Sequence, residues 1–105
     1  MEKPMKVYIA GPMTGYKDWN FPAFFVEQAR LEALGYEASN PAQYGASDHA
    51  KWSDCLRRDI PDLLKCDAIS LLPGWYNSRG AKLEYSIAAA LGMTILPTYL
   101  NEPHE

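Results

Sequence analysis

Two carboxylates and two glycine-bearing loops carry the chemical interest of this chain. At about 100° per residue, Glu84 falls on the shoulder of a helical stripe formed by Leu83, Ile87 and Leu91. Gly80 and Ala81, one turn earlier, leave it open to a ligand at the helix start. A half-buried carboxylate there can act as a nucleophile or proton carrier; it can equally be a solvated partner of Lys82 or Arg79. Asp59 lies in register with Trp52, Leu56 and Leu63, inside an apolar stripe where an unpaired charge is costly. A ligand could satisfy it, but so could the Arg57-Arg58 pair, or a role as cap of a helix restarted at Pro61.

Ser78 is placed to cap the helix that carries Glu84, and Gly80 and Ala81 leave its first turn bare, so free N–H groups there could face a phosphate or sugar oxygen. Trp75 and Tyr76 precede it with flat faces on which a nucleobase could stack. Ordinary capping beside surface aromatics is the competing reading. Gly11-Pro12-Met13-Thr14-Gly15 offers two glycines for close backbone approach and one hydroxyl, as a phosphate or sugar pocket requires; a plain turn explains it equally well. It fits neither GxxxxGK[ST] nor GxGxxG, which excludes a P-loop and a dinucleotide fingerprint.

Other chemistries are excluded more simply. Cys55 and Cys66 lack CxxC spacing, and His49 and His104 lie far apart, so no zinc site is expected and the thiols read as reduced and mostly buried. No metal or cofactor is expected. The net charge of −3 has the wrong sign for a duplex nucleic-acid binder. No apolar run reaches the roughly 18 residues of a membrane span, and Met1 to Pro4 lacks a signal-peptide core, so a cytoplasmic protein is expected.

These residues need elements to position them. The 105 residues suit a single domain over 1–105, with 48% hydrophobic content to build its core and a polar tail at Asn101 to Glu105. Val7–Ala10, Ala68–Leu72 and Met93–Leu96 read as buried strands, and Tyr36–Ser39 as a weaker one. Helices are predicted from Asn20–Pro22 to Gly35, from Ala50 to Lys65 and from Ser78 to Leu91. The first has Asn20 as its cap and an inward face of Phe21, Phe24, Leu31 and Leu34. The second buries Trp52, Leu56, Ile60, Leu63 and Leu64 and should kink or restart at Pro61; the third turns Leu83, Ile87, Ala90 and Leu91 inward. Alternating strands and helices imply a small doubly wound α/β fold, flavodoxin-like or Rossmann-like, with a parallel sheet of four to five strands and helices on both faces. Ligands then bind beyond the carboxyl ends of the strands, between the loops starting at Gly11 and at Pro73.

In their order and placement these segments resemble nucleoside 2-deoxyribosyltransferases. The likeness rests on Tyr8-Ile9-Ala10-Gly11, on Asp59 followed by Cys66-Asp67-Ala68-Ile69, and on Ser78-x-Gly80-x-x-x-Glu84. Relatives that hydrolyse 2′-deoxynucleoside 5′-monophosphates are closer still, as are short phage and bacterial proteins of unassigned function that share Tyr-Ile-Ala-Gly-Pro-Met-Thr-Gly and Leu-Pro-Gly-Trp. The resemblance implies an N-glycosidase or deoxyribosyltransferase in which Glu84 attacks C1′ of the sugar to give a covalent glycosyl-enzyme. It makes Tyr8 the holder of that carboxylate and Asp59 a sugar contact or a proton source for the departing base. Gly11, Met13, Thr14, Gly15, Trp75, Ser78 and Gly80 become substrate contacts, with Ser78 and Gly80 receiving a 5′-phosphate. The partner is then a small nucleoside or nucleotide, and a homo-oligomer is expected to complete each site, with Tyr99 or Asn101 available for sharing. Two departures stand out. Tyr85-Ser86 replaces the usual Leu-Gly after the glutamate, and Pro73 to Asn77 lacks the family's second aspartate. A nucleotide-binding module without turnover is the alternative to the enzyme.

Overall fold

The structure, a computed structural model, describes residues 3–46 and 51–97. Ala50, His49, Tyr99, Asn101 and His104, singled out from the sequence, lie outside the described residues, as does the polar tail. Four strands form one sheet: β1 (Lys6–Ala10), β2 (Glu37–Ser39), β3 (Ala68–Leu71) and β4 (Thr94–Pro97). Their order is β2-β1-β3-β4 and every pairing is parallel, with Tyr8 opposite both Ser39 and Ile69. The helices are α1 (Phe21–Ala33), α2 (Trp52–Leu64) and α3 (Arg79–Ala90), and 3-10 turns occupy Lys17–Asn20, Pro41–Tyr44 and Trp75–Asn77. This is the expected doubly wound α/β fold, with four strands.

The continuous apolar run of β1 reflects burial on both faces. Val7 and Ile9 pack with Phe24 and Leu31 of α1 and with Ala68 and Leu72. Tyr8 and Ala10 point to the other face, among Ile69, Leu63 of α2 and Ala81 and Ala88 of α3. The chain leaves β1 for β2 on one side and later returns to β3 on the other, so the crevice opens between the ends of β1 and β3. Gly35 and Gly92 stop α1 and α3 in left-handed conformations, φ +93° and +73°. The next residues, Tyr36 and Met93, donate back to the carbonyls of Leu31 and Ala88, which closes both helix ends.

The helix faces differ from expectation. On α3 the buried residues are Ala81, Glu84 and Ala88, while Leu91 is 59% exposed and Leu83 and Ala90 also face out. Small side chains let the helix lie close to the sheet, so its larger leucines turn away. On α2 only Asp59 and Leu63 are buried; Trp52 and Leu64 are exposed, and Leu56 and Ile60 are half-buried. α2 runs unbroken through Pro61, which removes the restarted helix and with it the capping role for Asp59. Pro61 sits in the last turns, where its missing N–H costs a single bond. Asn20 does not cap α1 with its side chain: it adopts a left-handed conformation and its Nδ2 donates to the Pro12 carbonyl at 2.9 Å. Leu34 is exposed, beyond the buried face formed by Phe24, Glu27 and Leu31.

Among the described residues no helix is long and apolar enough to cross a membrane.

Candidate active site

A cavity of about 700 Å³ opens at the carboxyl ends of β1 and β3 and spans the gap between α1, α2 and α3. That volume lies within the range of small-molecule sites. Both carboxylates singled out from sequence line it: Glu84 from α3 and Asp59 from α2, each nearly buried. Tyr8 lies beneath, fully buried on β1, and its hydroxyl donates to Glu84 Oε2 at 2.7 Å.

Burial dominates the electrostatics. Desolvation pushes the Glu84 carboxyl up to about 8; the Tyr8 hydrogen bond opposes this and the Asp59 charge adds to it. Burial, and then the neighbouring carboxylates Glu84 and Asp59, raise the Tyr8 phenol well above its ordinary value. Tyr8 is therefore a neutral O–H donor throughout the working range. Asp59 is also raised by burial, but the guanidinium of Arg58 holds it back, with Nε 2.8 Å from Oδ1 and Nη2 3.4 Å from Oδ2. Two carboxyl groups in one cavity, set apart by their surroundings, form an arrangement suited to dividing nucleophilic and proton-transfer roles.

The helix entry behaves as the sequence predicts. The Ser78 hydroxyl accepts from the Ala81 N–H at 3.2 Å, which leaves the Arg79 and Gly80 N–H groups as first-turn donors beside the cavity. A Cβ on Gly80 would stand 3.4 Å from Trp52 Nε1, so the glycine gives that indole room. Gly11 lines the cavity too, but its lack of a side chain serves packing: a Cβ would meet Leu72 Cβ at 2.7 Å. Met13 and Thr14 complete the wall from the β1 loop.

Gly15 and Trp75 stand apart from this lining. Gly15, at φ +85°, faces open space. The Trp75 ring packs into the core against Tyr85, with centroids 4.8 Å apart, and Tyr76 sits edge-on to it. Tyr85, the residue after Glu84, supplies the ring against which Trp75 packs inward.

Other aromatic and basic groups reach the cavity instead. Trp52 lines it from α2, with the Arg79 guanidinium 3.6 Å over its ring. Tyr44 and Arg58 form another wall, with the guanidinium 4.4 Å from the Tyr44 centroid. Trp19 enters from Asp18-Trp19-Asn20, three consecutive residues with φ between 53° and 61°. Left-handed backbone is costly for residues with a Cβ; Asp18 and Asn20 are of the types that adopt it most readily, whereas the tryptophan between them is not. Trp52 was legible only as part of an apolar helix face. Glu27 was missed altogether; it is fully buried away from the cavity, accepts from Ser70 Oγ at 2.5 Å and forms a two-pronged ion pair with Arg30.

Cys66 is buried, which pushes its thiol up to about 11, and Cys55 lines the cavity. Among the described residues no three His, Cys, Asp or Glu side chains group as metal ligands.

Residues 5–97 match a family described as a domain of unknown function (DUF4406). No curated protein matches the chain. Among solved structures it is similar to a 2-deoxyribosyltransferase from Leishmania mexicana, at 23% identity and TM-score 0.68, covering 90% of this chain and 63% of that one. It is also similar to a 2-deoxyribosyltransferase from Bacillus psychrosaccharolyticus, at 16% identity and TM-score 0.72, covering 95% of this chain and 77% of that one. The chain thus spans less than two thirds of the Leishmania protein. Its fold is that of the deoxyribosyltransferases, as its sequence motifs implied.

Proposed function

The chain belongs to the DUF4406 family, and we propose that this member is an enzyme that cleaves the N-glycosidic bond of a nucleoside or deoxynucleoside, or of its 5′-monophosphate, through a covalent bond to Glu84. The observation that carries the reading is the Tyr8–Glu84 pair: a buried carboxyl, gripped by a buried phenol, at the wall of a cavity that also holds Asp59.

In this reading the ionised Glu84 attacks C1′ and the C1′–N bond breaks, its electron pair passing to the base nitrogen, which takes up a proton. Tyr8 keeps the attacking carboxylate in one rotamer, so little orientational freedom is lost at the transition state. Asp59 supplies the proton or holds the sugar. Water attacks C1′ to release Glu84 as carboxylate in hydrolysis; a second base does so in transfer. Ser78, Gly80 and the first turn of α3 take the 5′-phosphate. Met13, Thr14 and Gly11 line the sugar side, and Trp75 and Gly15 contribute only through the loops they stabilise.

The protein acts in the cytoplasm in this account, as a homo-oligomer. Leu83 and Leu91 on the outer side of α3 and Leu64 at the end of α2 are exposed and give an association surface its apolar groups. Sedimentation velocity tests this, and a monomer at micromolar concentration removes it.

One observation favours a second reading. A carboxyl pushed up to about 8 is mostly neutral at pH 7, as befits a hydrogen-bonding group in a module that holds a nucleotide intact. Incubation with nucleosides, deoxynucleoside 5′-monophosphates and NAD, followed by chromatography for free base, separates the two. Base release that disappears in Glu84→Ala supports the enzyme; intact ligand after long incubation supports the module.

A further inference from the structure

Arg58 and Asp59 are adjacent on α2, and adjacent helical side chains diverge by about 100° and do not ordinarily face each other. Their two-contact pairing, at 2.8 and 3.4 Å, therefore needs something on the far side of the guanidinium to turn it back. The Tyr44 ring stands there, 4.4 Å from the guanidinium carbon, and its own hydroxyl donates to Asp62 Oδ2, one helical turn below Arg58. The 3-10 turn Pro41–Tyr44 is thereby strapped to α2 at two points, one through the ring and one through the hydroxyl. Tyr44, Arg58 and Asp59 line the cavity, and Asp59 is nearly buried there.

We propose that Arg58 is a positioning residue that fixes the Asp59 carboxylate in the cavity wall, and that Tyr44, anchored on Asp62, braces Arg58 for that task. The inference rests on the glycosidase reading for its catalytic consequence but not for its geometry. A carboxylate chelated by a fork is held in one rotamer, and the charge of the fork opposes the rise that burial imposes on it. The titratable groups around Asp59 are Arg58, Asp62 and Cys55 on α2, Tyr44 on the 3-10 turn, Glu84 on α3 and Tyr8 on β1. Among these described groups Arg58 is the cation in contact with Asp59; Arg79 lines the same cavity but stacks on Trp52.

The test joins kinetics to an activity-independent readout. In Arg58→Gln, kcat for base release should fall between about tenfold and a hundredfold with KM little changed, since a shifted carboxylate spoils the reacting geometry. Arg58→Lys, which keeps the charge and loses the fork, should recover part of the loss. Tyr44→Leu should lose more than Tyr44→Phe, because phenylalanine keeps the ring under the guanidinium. In parallel, a ¹³C-detected titration of the Asp59 carboxyl should move to higher pH in Arg58→Gln than in wild type. An unmoved Asp59 titration overturns the proposal, and so does a loss confined to KM, which would make Arg58 a substrate contact. If wild type releases no base from any substrate the glycosidase reading fails by itself, and the Asp59 titration still decides the role of Arg58.

Discussion

The Tyr8 hydroxyl and the Glu84 carboxylate meet at 2.7 Å in a buried contact between the first strand and the last described helix. Among the described residues neither side chain makes another hydrogen bond, so each sets the chemistry of the other: the phenol gives the carboxyl its one opposing hydrogen bond against burial. Removing either partner therefore has a specific consequence.

Glu84→Gln should abolish base release, by at least about a thousandfold if the residue is the nucleophile. The amide oxygen can still accept from Tyr8, so folding should be preserved. A nucleotide that still binds, detected by calorimetry, while turnover is lost identifies a catalytic role; turnover at the wild-type rate refutes it.

Tyr8→Phe leaves the buried Glu84 without its donor. The carboxyl should rise above its present value near 8, and stability should fall by roughly 1–3 kcal/mol, the cost of an unsatisfied buried acceptor. Urea denaturation measures the second effect, and the pH at which activity reaches half its maximum measures the first.

Activity should rise with pH and level off above about 8, because only ionised Glu84 attacks. Stability runs the opposite way. The folded value near 8 lies above the ordinary 4.5, so the folded protein holds the proton more tightly than the unfolded chain. That stabilisation is fully present below about 4.5 and is lost as pH rises through about 8. Thermal midpoints across this window should decline for wild type and less so for Glu84→Gln.

Gly11→Ala should destabilise by about 1–3 kcal/mol, the usual penalty of overpacking, since the new Cβ would stand 2.7 Å from Leu72 Cβ. A wild-type urea midpoint would show that the ends of β1 and β3 can part at no cost.

Ser78→Ala removes the α3 cap, which is worth about 1 kcal/mol, and loosens the first-turn donors. KM for a deoxynucleoside 5′-monophosphate should rise several-fold while KM for the free nucleoside stays constant. Equal effects on both substrates would place the phosphate elsewhere.

Strand and helix identity was legible along the chain because it depends on local pattern. The apolar runs at Val7–Ala10 and Ala68–Leu71, the stop signals at Gly35 and Gly92 and the cap at Ser78 all act within a few residues of themselves. The sequence by itself determined the parallel α/β order, and with it that Glu84, Asp59, Ser78 and the Gly11 loop would gather at one end of the sheet. The inward Phe24 and Leu31 of α1 and Leu63 of α2 were legible from helical spacing, but only the tertiary structure decided which side of α3 faces inward. On α3 the close approach of helix to sheet favours Ala81, Glu84 and Ala88 over Leu83 and Leu91, a choice of distance that no periodicity encodes. The same holds for partners far apart in the chain. Trp52 comes beside Gly80 and Arg79, Tyr44 braces Arg58, and Trp75 is withdrawn from the cavity by Tyr85, because each contact depends on how two elements pack rather than on either segment alone.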